Sequence, residues 1–399
     1  MYRINTRFVR LAGLFTTLFM THIALADWPN FRGPRYDGIS DEKGLKTTWK
    51  EPLRLVWERE IGSAFSSFAA VGDRLYTCGM ADKQQVLICQ NANTGEVIWK
   101  KAFEKQYRNE HGDGTRATPT VHDGRVYILG AHGRLLCVDA ENGSDIWEQR
   151  FEKEPTWGYS GSVLIEGELA VATAGGSFGS IAAFDRKTGK PAWKSSEDLV
   201  GYAMPYPFTF DGKRYIVGFS GTSANIVEAA TGKEALRTDW KTDYDVNAAM
   251  PIYHDGHLLL TSGYKTGAGL FKLSAAGGAI KSQEIWKNKS LLTKFQSCVL
   301  HDGFLYASDQ EGFKCVEFLT GKERWSQPRV YNGTLVLAEG NLFLLTENGE
   351  LRIGKASPDG FTPTTTAKIL DDRCWSVPVL HNGRIYARNL ERVVCFNLK

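Results

Sequence analysis

The chain has 399 residues, 42% of them hydrophobic and 23% charged, the balance of an ordinary water-soluble globular protein. A formal net charge of +3 is too small to argue for nucleic acid or an anionic membrane as partner, and no basic run with interleaved aromatics is present. Length alone would suggest two or three domains, but a closed repeat array escapes that rule because its core is shared between repeats.

In chain order, residues 1–26 stand apart as an export signal. Arg3, Arg7 and Arg10 precede an apolar segment from Leu11 to Ile23, and Ala24-Leu25-Ala26 supplies the small residues of a cleavage site before Asp27. The apolar segment is shorter than the roughly 20 residues that span a bilayer. No cysteine follows the cleavage site, so no lipid anchor is expected. Residues 27–52 read as an irregular arm containing WPNFRGPRYDGIS, held to the rest by Trp28, Phe31 and Trp49. Leu53–Ile61 then reads as a blade's fourth strand without the first three.

From there one unit recurs, seen whole in Thr118–Trp147. Two short strands meet at Asp123-Gly124, suited to a type I′ hairpin turn, a third strand ends at Asp139, and a fourth ends on Trp147. The hairpin glycine recurs as Gly72, Gly124, Gly167, Gly212, Gly256, Gly303, Gly340 and Gly383. The strand-ending tryptophan recurs as Trp57, Trp99, Trp147, Trp193, Trp240, Trp286 and Trp325. The glycines lie 311 residues apart from first to last, about 44 per step, the period of a four-stranded propeller blade. The expected fold is all-β: an eight-bladed propeller over residues 53–399, of four-stranded antiparallel blades. The blade after Trp375 supplies three strands, so the strand around Trp57 is expected to complete it and close the ring.

All seven cysteines lie beyond residue 26. Cys89, Cys137, Cys315 and Cys395 share one repeat position, so they are expected to be buried and unpaired. No CxxC or adjacent cysteine pair occurs. His122, His254, His301 and His381 precede hairpin glycines and belong to the turns, leaving no metal site expected. His111, beside Glu110 and Asp113, is the one histidine in an acid–base neighbourhood. No HExxH, P-loop or GxSxG motif is present, and no catalytic residue is assigned.

The connections entering each blade deliver side chains to one mouth of the central channel. The candidate ligand-binding residues there are Arg116, Trp157, Tyr159, Tyr202, Asp245, Asn247, Lys294, Phe295, Arg373 and Trp375, with Phe65, Ser66 and Met204 nearby. The competing expectation is that these side chains simply plug the channel.

The repeat Pro-x-x-x-[Asp/Asn]-Gly-x-[Val/Ile]-Tyr, Gly-x-Leu-x-[Cys/Ala]-x-Asp, Thr-Gly-x-x-x-Trp resembles the pyrroloquinoline quinone (PQQ)-type propeller repeat. More narrowly, Trp28–Ser40, Asp243–Ile252, Ser262–Leu273 and Asp371–Asn389 resemble secreted PQQ-like propellers related to the outer-membrane assembly lipoprotein BamB. The resemblance implies a secreted or periplasmic, non-catalytic binding scaffold that takes a protein partner, a small molecule or a glycan on one face. It implies a monomer with no transmembrane segment in the mature chain. The alternative it implies is a PQQ-dependent alcohol or sugar dehydrogenase with a calcium ion. Asp245 and Asn247 would then coordinate the cation and Trp157 or Trp375 would stack the quinone, although the vicinal cysteine pair of such enzymes is absent.

Overall fold

The computed structural model describes residues 27–276 and 279–399; the export signal expected over residues 1–26 lies outside the described residues. The described strands form eight sheets arranged as the blades of a ring. Seven are four-stranded antiparallel blades, and the eighth gains a fifth strand from the N-terminal arm.

The middle strands of each blade are apolar on both faces because neighbouring blades cover both sides. In blade 2, Val126–Leu129 and Leu135–Val138 are wholly buried, whereas the outer strand Asp145–Arg150 alternates towards solvent. Two-residue hairpins join the first two strands. Asp123-Gly124, Asp211-Gly212, Asp255-Gly256, Asp302-Gly303, Glu339-Gly340 and Asn382-Gly383 carry positive φ at both positions, as a type I′ turn requires. In the hairpins closed by Val71↔Arg74 and Glu166↔Leu169, Gly72 and Gly167 come first, and φ is positive only there, the type II′ pattern.

Each blade is fastened to the next by its outer strand. Trp57, Trp99, Trp147 and Trp325 lie opposite Cys395, Cys89, Cys137 and Cys315, and each indole N–H reaches a backbone carbonyl of the following blade. In three blades a tyrosine on the second strand bonds the same carbonyl: Tyr76 and Trp99 both donate to Ala140, Tyr127 and Trp147 to Arg186, and Tyr386 and Trp57 to Ala92. One carbonyl with two lone pairs thus receives two aromatic donors. The seven cysteines are buried and unpaired, and burial pushes the Cys137 and Cys395 thiols up to about 12.

A bulge precedes the tryptophan in the outer strand. The register skips Val56, Ile98, Ile146 and Ile285, which are accordingly exposed. The expected assignment of Trp240 to this series is corrected by the register. Ile226 pairs with Leu236, so Leu236 holds the tryptophan position of blade 4. Trp240 lies beyond the strand, where its indole donates to Ser262 Oγ at 3.0 Å.

The ring closes as the repeat arithmetic requires. Leu55–Glu60 pairs antiparallel with Arg392–Asn397, with Trp57 opposite Cys395. The arm then crosses the end of the channel remote from the blade-entry connections. Trp28 bridges to Ala70, the Pro29 carbonyl accepts from Val121 N–H, and Arg32 donates to the Ser297 and Cys298 carbonyls. Ile39–Ser40 pairs parallel with Leu337–Ala338, and Glu42 accepts from Gly383 N–H. These contacts touch blades 1, 2, 6, 7 and 8 in turn.

Candidate ligand site at the channel mouth

In several blades a small hydroxyl residue at or just ahead of the inner strand bonds from one blade to the next. Thr118 Oγ1 accepts from Ser67 N–H, Ser162 Oγ accepts from Thr118 N–H, and Thr334 Oγ1 donates to the Ser376 carbonyl. These residues line part of a cavity of about 200 Å³. Above them stand Phe65, Arg116, Trp157, Tyr202, Tyr264, Lys294, Phe295 and Trp375; Phe31 of the arm also contributes to the wall.

The aromatic side chains form two contacting groups. Trp375 stacks on Phe65 at 5.5 Å with an 18° interplanar angle, and lies 4.6 Å from Phe295. Its indole N–H donates to Glu347 Oε1 at 2.7 Å, which fixes the ring's orientation. Trp157 meets Tyr202 and Tyr244, each at 5.9 Å, and Tyr244 meets Tyr264 at 5.6 Å. Tyr244 and Tyr264 both adopt left-handed backbone conformations, and Tyr244 is 68% exposed. A bulky exposed residue in that conformation stores strain of a kind concentrated at binding sites.

Two basic side chains, Arg116 and Lys294, line the cavity. Arg116 lies over the Tyr107 ring at 4.3 Å and the Phe65 ring at 5.3 Å, and donates to the carbonyls of Gly112, Gly114 and Trp157. No carboxylate hydrogen-bonds to it, although Asp113 and Glu154 act on it through space, and burial pulls its guanidinium down to about 10. Lys294 places its ammonium 5.2 Å from the Tyr264 ring and makes no side-chain hydrogen bond; burial lowers its affinity for the proton, opposed by Glu347. No aspartate or glutamate lines the cavity. The nearest acids are committed elsewhere. Glu347 accepts from Trp375 and Asn332, Asp113 accepts from Gln106 and Asn109, and Glu154 pairs with His132.

Among the ten residues expected at the mouth, Arg116, Trp157, Tyr202, Lys294, Phe295 and Trp375 meet around this cavity. Arg373 stands behind it, its guanidinium 4.6 Å from the Trp375 ring and bonded to the His111 carbonyl. Asp245 faces a neighbouring groove that also contains Gly175, Gly176, Leu199 and Tyr244. Tyr159 is buried, its hydroxyl donating to the Glu152 carbonyl, and Asn247 is buried, its amide donating to the Ser220, Gly221 and Trp240 carbonyls. Tyr264, Phe31 and the hydroxyl residues are wall residues that the repeat pattern does not single out. His111 reaches the wall, exposed, 3.8 Å from Glu110.

The residues present do not fit a calcium-held quinone. Of the cation ligands considered, Asp245 lines the neighbouring groove and Asn247 is buried with its side-chain oxygen accepting from Ser262 Oγ, and no carboxylate lines the cavity to hold a hard cation. Among the described residues no group of three His, Cys, Asp or Glu is placed to ligate a metal, and no helix is long and apolar enough to cross a membrane.

The sequence matches the family described as outer membrane protein assembly factor BamB over residues 41–172 and 82–327. No curated protein matches it by sequence. Among solved structures, BamB from Moraxella catarrhalis is 14% identical with a TM-score of 0.64, covering 86% of this chain and 99% of its own. A europium-containing methanol dehydrogenase is 12% identical with a TM-score of 0.70, covering 94% of this chain and 98% of its own. The quinohemoprotein alcohol dehydrogenase from Comamonas testosteroni is 13% identical with a TM-score of 0.68, covering 93% and 80%. At such identities the likeness is one of fold.

Proposed function

Since the chain belongs to the outer membrane protein assembly factor BamB family, we propose that it is an exported, non-catalytic binding propeller that engages its partner or ligand at the channel mouth. The observation that carries this reading is the composition of the cavity wall: aromatic rings and cations, with no carboxylate. Binding needs apolar area and a few fixed polar groups, and the wall supplies both. Catalysis at a carbonyl or alcohol carbon needs a base within hydrogen-bond reach of the reacting atom. On this wall the nearest to that chemistry are His111, its side chain exposed beside Glu110, and Lys294, whose ammonium lies against the Tyr264 ring, and neither is held by a hydrogen bond from an orienting carboxylate.

The dehydrogenase reading draws support from the fold shared with a methanol dehydrogenase and a quinohemoprotein alcohol dehydrogenase and from the stacked Trp375. One experiment separates the two. The protein is used to capture partners from an envelope extract under mild cross-linking, in parallel with the variant Trp375→Ala and the variant Lys190→Ala, an exposed turn residue outside the cavity wall. Loss of captured species in Trp375→Ala alone supports mouth binding. Alcohol or sugar oxidation by the purified protein on adding PQQ and calcium would replace this reading with the enzymatic one.

A further inference from the structure

Beside the mouth, between blades 3 and 4, lies a second and larger recess. We propose that this groove, independently of the mouth, binds an oligosaccharide of N-acetylated amino sugars, with Tyr244 against a sugar ring and Leu199 and Asp245 taking the acetamido group. Size comes first. The groove encloses about 750 Å³, within the roughly 300–1,000 Å³ of small-ligand sites. Its walls are the connections 153–156, 197–200 and 244–245, which lead into blades 3, 4 and 5, and the turn 175–179 of blade 3 closes one side.

Exposure comes second. Tyr244 at 68% and Leu199 at 56% are the most exposed large apolar side chains among the described residues, and both line this groove. Tyr244 and Asp245 are consecutive left-handed residues, a strained pair that places a ring and a carboxylate on the same wall. A pyranose has an apolar C–H face and a girdle of hydroxyls that each donate and accept. An open ring beside open polar groups matches both.

Charge comes third, and it excludes a strongly ionic ligand. Six charged side chains line the groove, and three are committed. Glu154 pairs with His132 at 2.6 Å, Asp198 accepts from Arg237, Ser223 and Asn225, and Lys194 donates to the Ser177 carbonyl. Lys153, Glu197 and Asp245 remain without a hydrogen bond or ion pair from their side chains, one cation against two anions. Asp245 is the half-buried one of the three. A Cβ added at Gly221 would stand 2.9 Å from Asp245 Cβ and 3.1 Å from Leu199 Cβ, so an acceptor and an apolar side chain start from neighbouring points. An acetamido group offers the complement, an amide N–H next to a methyl.

The probe is chitotetraose, titrated calorimetrically into the full chain against cellotetraose, which has a hydroxyl in place of each acetamido group. Chitotetraose is expected to bind saturably and cellotetraose about tenfold more weakly, for loss of the methyl contact and the amide hydrogen bond. Tyr244→Ala should weaken both about tenfold by removing the stacking surface. Leu199→Ala should weaken chitotetraose about fourfold and leave cellotetraose unchanged. Both positions are exposed, and circular dichroism confirms the fold. No saturable binding of chitotetraose, or equal binding of the two sugars, overturns the proposal. Tighter binding of the deacetylated tetramer, which carries ammonium groups, would show that Asp245 and Glu197 select a cation, and overturns it as well. If Trp375→Ala abolishes chitotetraose binding while Tyr244→Ala does not, the sugar sits at the mouth and the groove assignment falls.

Discussion

Gly189 lies directly beneath the indole of Trp147, a residue of the preceding blade. A Cβ added at Gly189 would stand 2.6 Å from Trp147 Cδ2. The same fit recurs between Gly95 and Trp57 and between Gly143 and Trp99, at 2.6 and 2.8 Å. The Thr-Gly turn of one blade and the tryptophan of the blade before it are therefore two halves of one contact. Their periods match because neither can move alone. Gly189→Ala is expected to destabilise the protein by about 3 kcal/mol, combining overpacking with a strained positive φ. Gly124→Ala shares the positive φ but meets nothing within 4 Å, and should cost only about 1 kcal/mol. Urea unfolding followed by far-ultraviolet circular dichroism measures both, and equal losses would refute the tryptophan contact.

Ring closure depends on a second contact that no repeat pattern announces. Arg388 of blade 8 is fully buried and donates to the carbonyls of Gly62, Ser66, Cys78, Asn389 and Leu390 and to Thr77 Oγ1. Burial pulls it down to about 10. It ties blade 8 to blade 1 where the N-terminal strand completes the sheet. Arg388→Met keeps the volume and abandons those acceptors, so it should cost about 3 kcal/mol or more. The loss should exceed that of Trp57→Phe, which gives up one indole hydrogen bond to Ala92. A smaller effect than Trp57→Phe in the same unfolding assay would show that strand pairing alone holds the ring.

These contacts mark how far the sequence could be read. Blade number and closure were legible because every copy solves the same packing problem, so glycine and tryptophan recur at a fixed interval. Trp240 misled because Leu236 fills the slot in blade 4 while an unrelated tryptophan sits four residues later. At the mouth, the expectation that residues before each inner strand point into the channel assumes an extended chain. Gly158 has φ +74°, and Tyr244 and Asp245 are left-handed, so Tyr159 turns into the wall and Asp245 into the neighbouring groove. The arm's course across the channel was not legible, since it is held mostly by backbone groups that no side-chain pattern encodes.

Asp198 provides a pH-dependent contribution between blades 3 and 4. Burial pushes its carboxyl up, but Arg237, Ser223, Asn225 and Ser196 donate to it and together hold it well below the usual carboxylate value of 3.8. A carboxyl whose folded pKa is depressed stabilises above its unfolded pKa, and that stabilisation is lost as pH falls through the folded value. Asp198→Asn should therefore destabilise at pH 7 by about 2 kcal/mol, with a difference that narrows below about pH 4. Parallel urea titrations at pH 7 and pH 3 test the sign, and a gap that widens in acid would contradict it.

The arm offers the last test. Arg32 is buried, and it bonds the carbonyls of Ser297, Cys298, Asp37 and Tyr36 at 3.2, 2.5, 2.8 and 3.4 Å. It therefore fastens the arm both to blade 6 and to its own turn, while the neighbouring Arg35 is 44% exposed in its side chain. Arg32→Gln keeps a donor but is too short to reach the same carbonyls. Local release of the arm should become easier by about 2 kcal/mol, while the blades retain their own contacts. Trypsin cleavage after Arg35 should then accelerate more than tenfold under native conditions, with little change in the global unfolding midpoint. Because Phe31 belongs to the same turn and to the cavity wall, the released arm should also weaken binding at the mouth. Unchanged cleavage would mean that Trp28 and the paired strand Ile39–Ser40 suffice to hold the arm without Arg32.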